Sequence, residues 1–60
     1  MKNQPEDLSA AETLLTLAKE HLDGDEREHP RGRLLLDTII SIYPHTPAAN
    51  EALRMLAERH

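Results

Sequence analysis

Cysteine, tryptophan and phenylalanine are absent from this chain of 60 residues, and Tyr43 is its only aromatic residue. The missing cysteines exclude disulfides and thiolate metal sites. With so few aromatics, a core must be built from Leu, Ile, Ala and Met. A chain of this length buries only about 60% of the surface that its unfolded form exposes. We therefore expect stabilisation by another protein molecule, in the first place as a homo-oligomer.

Basic residues and long apolar segments are also scarce. Seven Lys and Arg residues stand against eleven Asp and Glu residues, which gives a net charge of −4. Nucleic-acid surfaces need basic residues to replace counterions, so this balance argues against DNA or RNA as a partner. No segment approaches the ~20 apolar residues of a membrane span, and residues 1–7 lead into no signal peptide. We expect a cytoplasmic location, or an envelope location if the chain is part of a longer protein.

Apolar residues in the first third of the chain recur at alternating steps of three and four, the spacing of a helix with one buried face. Pro5 suits the first position of this helix. Gly24 follows the last apolar residue of the helix and can end it by adopting the left-handed backbone conformation. A capping box at Ser9–Glu12 offers a later start, but Leu8 belongs to the apolar stripe and favours the earlier one. The prediction is a helix over residues 5–23. Its stripe consists of Leu8, Ala11, Leu15, Ala18 and Leu22.

A polar connector, Asp23–His29, separates this helix from the second one. We expect the connector to be solvated, and a docking patch for a basic partner is the alternative. The second helix is predicted over residues 30–43. It starts at Pro30, because a proline in the second turn would clash with an earlier carbonyl group.

The second helix ends and a third begins within a few residues. Tyr43 precedes Pro44, and a residue before proline is disfavoured in the α region. Thr46 can cap the next helix, with Pro47 at its first position. The third helix is predicted over residues 47–58. So short a connection folds the two helices back on each other as a hairpin.

Three helices joined in this way predict a single all-α domain over residues 1–60, an antiparallel three-helix array. Apolar side chains cover well over half of the second helix, which indicates burial on more than one side. The first and third helices can cover part of that surface, and a second subunit is a natural cover for the rest. The expected partner or dimer interface consists of Leu35, Ile39, Ile42, Tyr43 and Met55.

The segment Tyr43–Ala52 reads Tyr-Pro-x-Thr-Pro-x-Ala-x-x-Ala. Together with the preceding hairpin it resembles a tetratricopeptide repeat followed by the first helix of the next unit, in the variant common in bacterial envelope-assembly and scaffold proteins. The resemblance spans Leu14–Leu56. It implies close helix packing at the small residues Ala18 and Gly32, although Gly32 also suits a frayed first turn. The chain departs from the family in a connector about two residues longer, and in having one and a half repeats where about three are usual.

Candidate chemical groups are few. The histidines show no His-x-x-x-His pair, so we expect them on the surface, with no metal site and no cofactor. No strained serine turn, glycine-rich phosphate loop or cysteine is present, so we expect no enzyme activity. Arg31 and Arg33 place positive charge at the start of the second helix, where the dipole disfavours it. Either the acidic connector neutralises them or they contact an anionic partner. The four histidines are His21, His29, His45 and His60.

The function expected from these features is a non-catalytic protein–protein interaction or scaffold module that self-associates through the apolar face of the second helix. The alternative is a small helix-turn-helix DNA-binding regulator. Its third helix would be the recognition helix, with Asn50 and Arg54 as the residues that read bases. A third possibility is a piece of a longer repeat array, in which missing repeats would cover the apolar faces.

Overall fold

The computed structural model describes residues 5–59, apart from the side chain of Arg59. Over that range the secondary structure is helical, with no strand, and the predicted all-α array of three α-helices is confirmed. One turn of 3-10 helix, Glu26–Glu28, precedes the second α-helix. The α-helices are α1 (Pro5–Asp23), α2 (His29–Ile42) and α3 (Pro47–Arg59).

The end of α1 is followed by Gly24. Gly24 can end a helix in the left-handed conformation, but it does not do so here, because neither glycine has a positive φ. The Gly24 N–H donates to the carbonyl oxygen of His21 at 3.3 Å, and the chain then turns at Asp25, which is extended with φ −57° and ψ 152°. The imidazole Nδ1 of His21 lies 3.0 Å from a carboxylate oxygen of Glu28. This contact holds the 3-10 turn against the end of α1.

The start of α2 lies at His29, one residue before the predicted start. Pro30 is therefore in the first turn, where its missing N–H has no intrahelical partner to lose. Glu28 precedes the helix without capping it through its side chain. The proline rule thus places the helix correctly to within one residue.

Thr46 connects the end of α2 to the start of α3. Its hydroxyl donates to the carbonyl oxygen of Tyr43 at 2.8 Å and accepts the N–H of Ala49 at 3.2 Å. Ala49 is the third residue of α3, so Thr46 is the predicted N-cap, with Pro47 first in the helix. The Thr46 side chain is buried, which makes this small network part of the interior.

Replacing Thr46 with valine should therefore lower the free energy of unfolding by about 1–2 kcal/mol, because a helix cap is lost at a buried position. Thr46→Ser should retain most of the stability. Thr16→Val is the matched control, since the Thr16 hydroxyl donates to the Glu12 carbonyl oxygen on the exposed side of α1. Urea midpoints measure the difference. Equal midpoints for the two valine variants would contradict a structural role for the Thr46 cap.

The core is a layer of small and medium side chains in which α3 contacts both α1 and α2. Alanine provides five of its nine buried apolar residues, so the helix backbones approach closely. Half-buried leucine, isoleucine, methionine and tyrosine side chains surround this layer. The buried apolar residues are Ala11, Leu15, Ala18, Leu22, Leu36, Ile39, Ala48, Ala49 and Ala52.

The helices α1 and α2 approach each other closely at Gly32. A Cβ atom placed on Gly32 would lie 2.7 Å from Cγ of Leu22 and 3.1 Å from the carbonyl oxygen of Ala18. Real Cβ atoms essentially never lie as close as 2.7 Å to another heavy atom, so only glycine fits here without movement. The contact joins the start of α2 to the end of α1, as in an antiparallel hairpin. Ala18 and Gly32 therefore meet where the sequence predicted close packing.

Candidate functional site

Within residues 5–59, the most exposed large apolar side chains belong to α2, although α2 is the middle helix. Leu34 is 64% exposed and Ile42 is 60% exposed, whereas Leu36 and Ile39 of the same helix are fully buried. Leu8 and Leu17 of α1 and Leu53 of α3 are also exposed, but less so. The second helix thus has one face in the core and a second apolar face in contact with solvent.

This second face is organised as a row. Leu34, Thr38 and Ile42 follow one another at four-residue spacing, which places them along one side of a helix with 3.6 residues per turn. We call these three residues the α2 ridge. The Thr38 hydroxyl donates to the carbonyl oxygen of Leu34 at 2.9 Å. The polar atom in the middle of the ridge is therefore satisfied within its own helix.

Four of the five predicted interface residues remain accessible. Ile42 is exposed, and Leu35, Tyr43 and Met55 are half-buried. The prediction that Ile39 belongs to the interface was wrong, because Ile39 is fully buried in the core and has no surface to offer a partner.

The reason for that error lies in the spacing along α2. Ile39 follows Leu36 by three residues and Gly32 by seven, and these three share the buried face. Leu34 lies off that line, yet the sequence reasoning did not include it among the interface residues. One signal in the sequence could have separated the two faces of α2. Gly32 indicates close helix packing, and the residues four and seven positions after it, Leu36 and Ile39, share its face.

Arg31 and Arg33 are both exposed, and no ion pair involves either of them within residues 5–59. Among the connector carboxylates, Glu28 pairs with His21 instead. Any neutralisation of the two arginines by the connector therefore acts at longer range. At 100° per residue, Arg31 lies on the side of the α2 ridge and Arg33 on the opposite side.

Three charged side chains of α3, Glu51, Arg54 and Glu58, pair with one another. Arg54 donates to both carboxylate oxygens of Glu51, at 2.6 and 2.7 Å, and to Glu58 at 3.4 Å. The hydrogen bond from Arg54 lowers the pKa of Glu51, so the pair stabilises α3 above the usual carboxylate pKa and weakens as pH falls through the lowered value. Arg54 would have to leave these two carboxylates to read a DNA base, which disfavours its role in the helix-turn-helix alternative.

Other kinds of site find no support in the described part of the chain. Residues 5–59 contain no concave pocket and no group of three or more His, Asp or Glu side chains arranged for a metal ion. His60 lies outside the described residues. None of the helices in that range combines the length and apolarity that crossing a bilayer requires, and the compartment stays a prediction. The exposed apolar face of α2 is the feature on which a functional proposal can rest.

No protein-family model matches the chain, and no curated protein and no solved structure matches it either. The likeness to a tetratricopeptide repeat therefore stays a prediction that depends on the residues quoted above.

Proposed function

We propose that this protein is a non-catalytic interaction or scaffold module, built on a tetratricopeptide-like helical hairpin, that binds another protein molecule through the exposed apolar face of α2. Its first partner is a second copy of itself. The observation that carries the proposal is the exposure of Leu34 and Ile42, at 64% and 60%, on the central helix of the array. Covering such side chains gains about 25 cal/mol for each Å² of apolar surface removed from water.

The remaining helices of the chain do not cover this face. Gly32, Leu36 and Ile39 are the buried residues of α2, and α1 and α3 pack on the side where they lie. The α2 ridge lies away from them. The ridge is therefore open to a second molecule.

The expected interface is small. A standard protein interface takes about 800 Å² from each partner, which is about a fifth of the 4386 Å² that this chain exposes. The ridge alone does not reach that area, and we propose the half-buried Leu35, Tyr43 and Met55 as further interface residues. We expect reversible, concentration-dependent association rather than a permanent complex.

Leu34→Glu and Ile42→Glu should each weaken self-association at least about tenfold, equivalent to about 1.4 kcal/mol, because a carboxylate would be desolvated inside an apolar interface. Leu53→Glu is the matched control, since Leu53 is also apolar and 53% exposed but lies on α3. Sedimentation velocity measures the association, and circular dichroism verifies that each variant is folded. The proposal fails if Leu53→Glu weakens the dimer while the two α2 variants leave it unchanged.

A further inference from the structure

The α2 ridge is symmetric about Thr38. Leu34 precedes Thr38 by four residues and Ile42 follows it by four, and the two flanking side chains are similarly exposed. Rows with four-residue spacing pack between the rows of a facing helix. When two α2 helices cross antiparallel about a two-fold axis at Thr38, Leu34 of each copy meets Ile42 of the other. The ridge is thus complementary to itself in that orientation.

Thr38 can lie on such an axis without losing a hydrogen bond. Its hydroxyl already donates to the Leu34 carbonyl oxygen at 2.9 Å. A hydroxyl buried without a partner would destabilise an interface, whereas one satisfied inside its own helix does not. The centre of the ridge is therefore compatible with close contact between two copies.

The charges of α2 favour the antiparallel orientation over the parallel one. The positive charges of Arg31 and Arg33 near the start of α2 oppose the helix dipole. No acidic residue in the first turn and no basic residue in the last turn offsets this effect. A parallel pair would bring Arg31 of one copy beside Arg31 of the other. In an antiparallel pair, Arg31 lies about 10 Å along the helix from the axis, beside the negative carboxyl end of the partner's α2.

From the symmetry, the satisfied hydroxyl and the charge pattern, we propose that two copies associate through antiparallel α2 helices on a two-fold axis at Thr38, with Arg31 of each copy at the carboxyl end of the partner's helix. The inference rests on the proposed self-association and adds its orientation, its axis and a charged contact. Arg33 faces the other way and takes no part in it.

Single-cysteine variants test the orientation, because the chain has no cysteine of its own. On mild oxidation, Thr38→Cys should form a covalent dimer, since Cα atoms on either side of the axis come within about 7 Å, the range of a disulfide. Leu34→Cys alone and Ile42→Cys alone should link slowly, because the two copies of each residue lie about 12 Å apart along the helices. An equimolar mixture of those two variants should link readily. Arg33→Cys gives the background rate.

Each outcome of the oxidation experiment has a definite meaning. Rapid linking of Leu34→Cys alone would show a parallel pair and overturn the inference. The inference would also be overturned if every ridge variant linked only at the Arg33→Cys rate while sedimentation still showed a dimer. The interface would then lie elsewhere on the chain. A wild-type chain that stays monomeric would instead reject the proposed self-association itself.

The charged contact is tested by a matched pair of arginine variants. Arg31→Gln should weaken the dimer about threefold to thirtyfold, as expected for two symmetric contacts with a helix end. Arg33→Gln removes the same charge two residues away and should leave the dissociation constant unchanged. Equal weakening by both variants would show a general effect of net charge and would overturn the contact proposed for Arg31.

Discussion

Replacing Leu36 with alanine is expected to leave much of the population unfolded at room temperature. Leu36 is fully buried and belongs to the core layer to which all three helices contribute. Removing a buried leucine side chain costs about 2–5 kcal/mol, the lost transfer energy plus the cavity left behind. A domain of this length has a total stability of only about 3–9 kcal/mol. A single core substitution can therefore remove most of the free energy of unfolding.

The measurement is urea unfolding followed by circular dichroism, with all variants at one protein concentration because association would shift the midpoint. Leu53→Ala is the control, since Leu53 is exposed on α3. We expect a large loss for Leu36→Ala and a change within about 0.5 kcal/mol for Leu53→Ala. Similar midpoints for the two variants would contradict the assignment of Leu36 to the core.

Gly32→Ala is expected to destabilise the protein, although alanine is the better helix former by about 1 kcal/mol. The added Cβ would lie 2.7 Å from Cγ of Leu22 and 3.1 Å from the carbonyl oxygen of Ala18. The Leu22 side chain can adjust, but the Ala18 oxygen belongs to the backbone, so α1 and α2 would have to separate. Overpacking of this kind costs about 1–3 kcal/mol.

Gly24→Ala is the natural comparison, since these are the only two glycines of the chain. The nearest atoms to a Cβ on Gly24 belong to the exposed Glu28 carboxylate at 3.2 Å, which can move aside, and the φ of Gly24 is not positive. We expect an effect within about 0.5 kcal/mol there. If Gly32→Ala raised the unfolding midpoint, as it does at an open helix position, the close contact between α1 and α2 would be refuted.

The helix boundaries could be predicted because their signals are local. Pro30 and the pair Thr46–Pro47 mark the starts of α2 and α3 through backbone geometry and capping, which need no knowledge of the tertiary structure. The turn after α1 could not be predicted in the same way. Its path follows a contact between His21 and Glu28, seven residues apart, and that contact exists only once the connector has folded back.

The candidate site was predicted only in part, for a physical reason. A helix with apolar residues on most of its surface shows that some of them are uncovered, but its period does not tell which face meets the neighbouring helices. The sequence therefore placed Ile39 in the interface and left out Leu34, the reverse of their burial. In the structure α1 lies close to the face of α2 that contains Gly32, whereas Leu34 and Ile42 lie on another face and are exposed.

Sedimentation equilibrium of the unmodified chain tests the central claim most directly. The series should run from about 1 μM to about 1 mM, which spans association free energies of about 8 to 4 kcal/mol. We predict that the weight-average mass rises with concentration from the monomer value of 6.8 kDa toward twice that value. A folded chain whose mass stays at 6.8 kDa over the whole series would contradict the claim that a second copy covers the exposed face of α2.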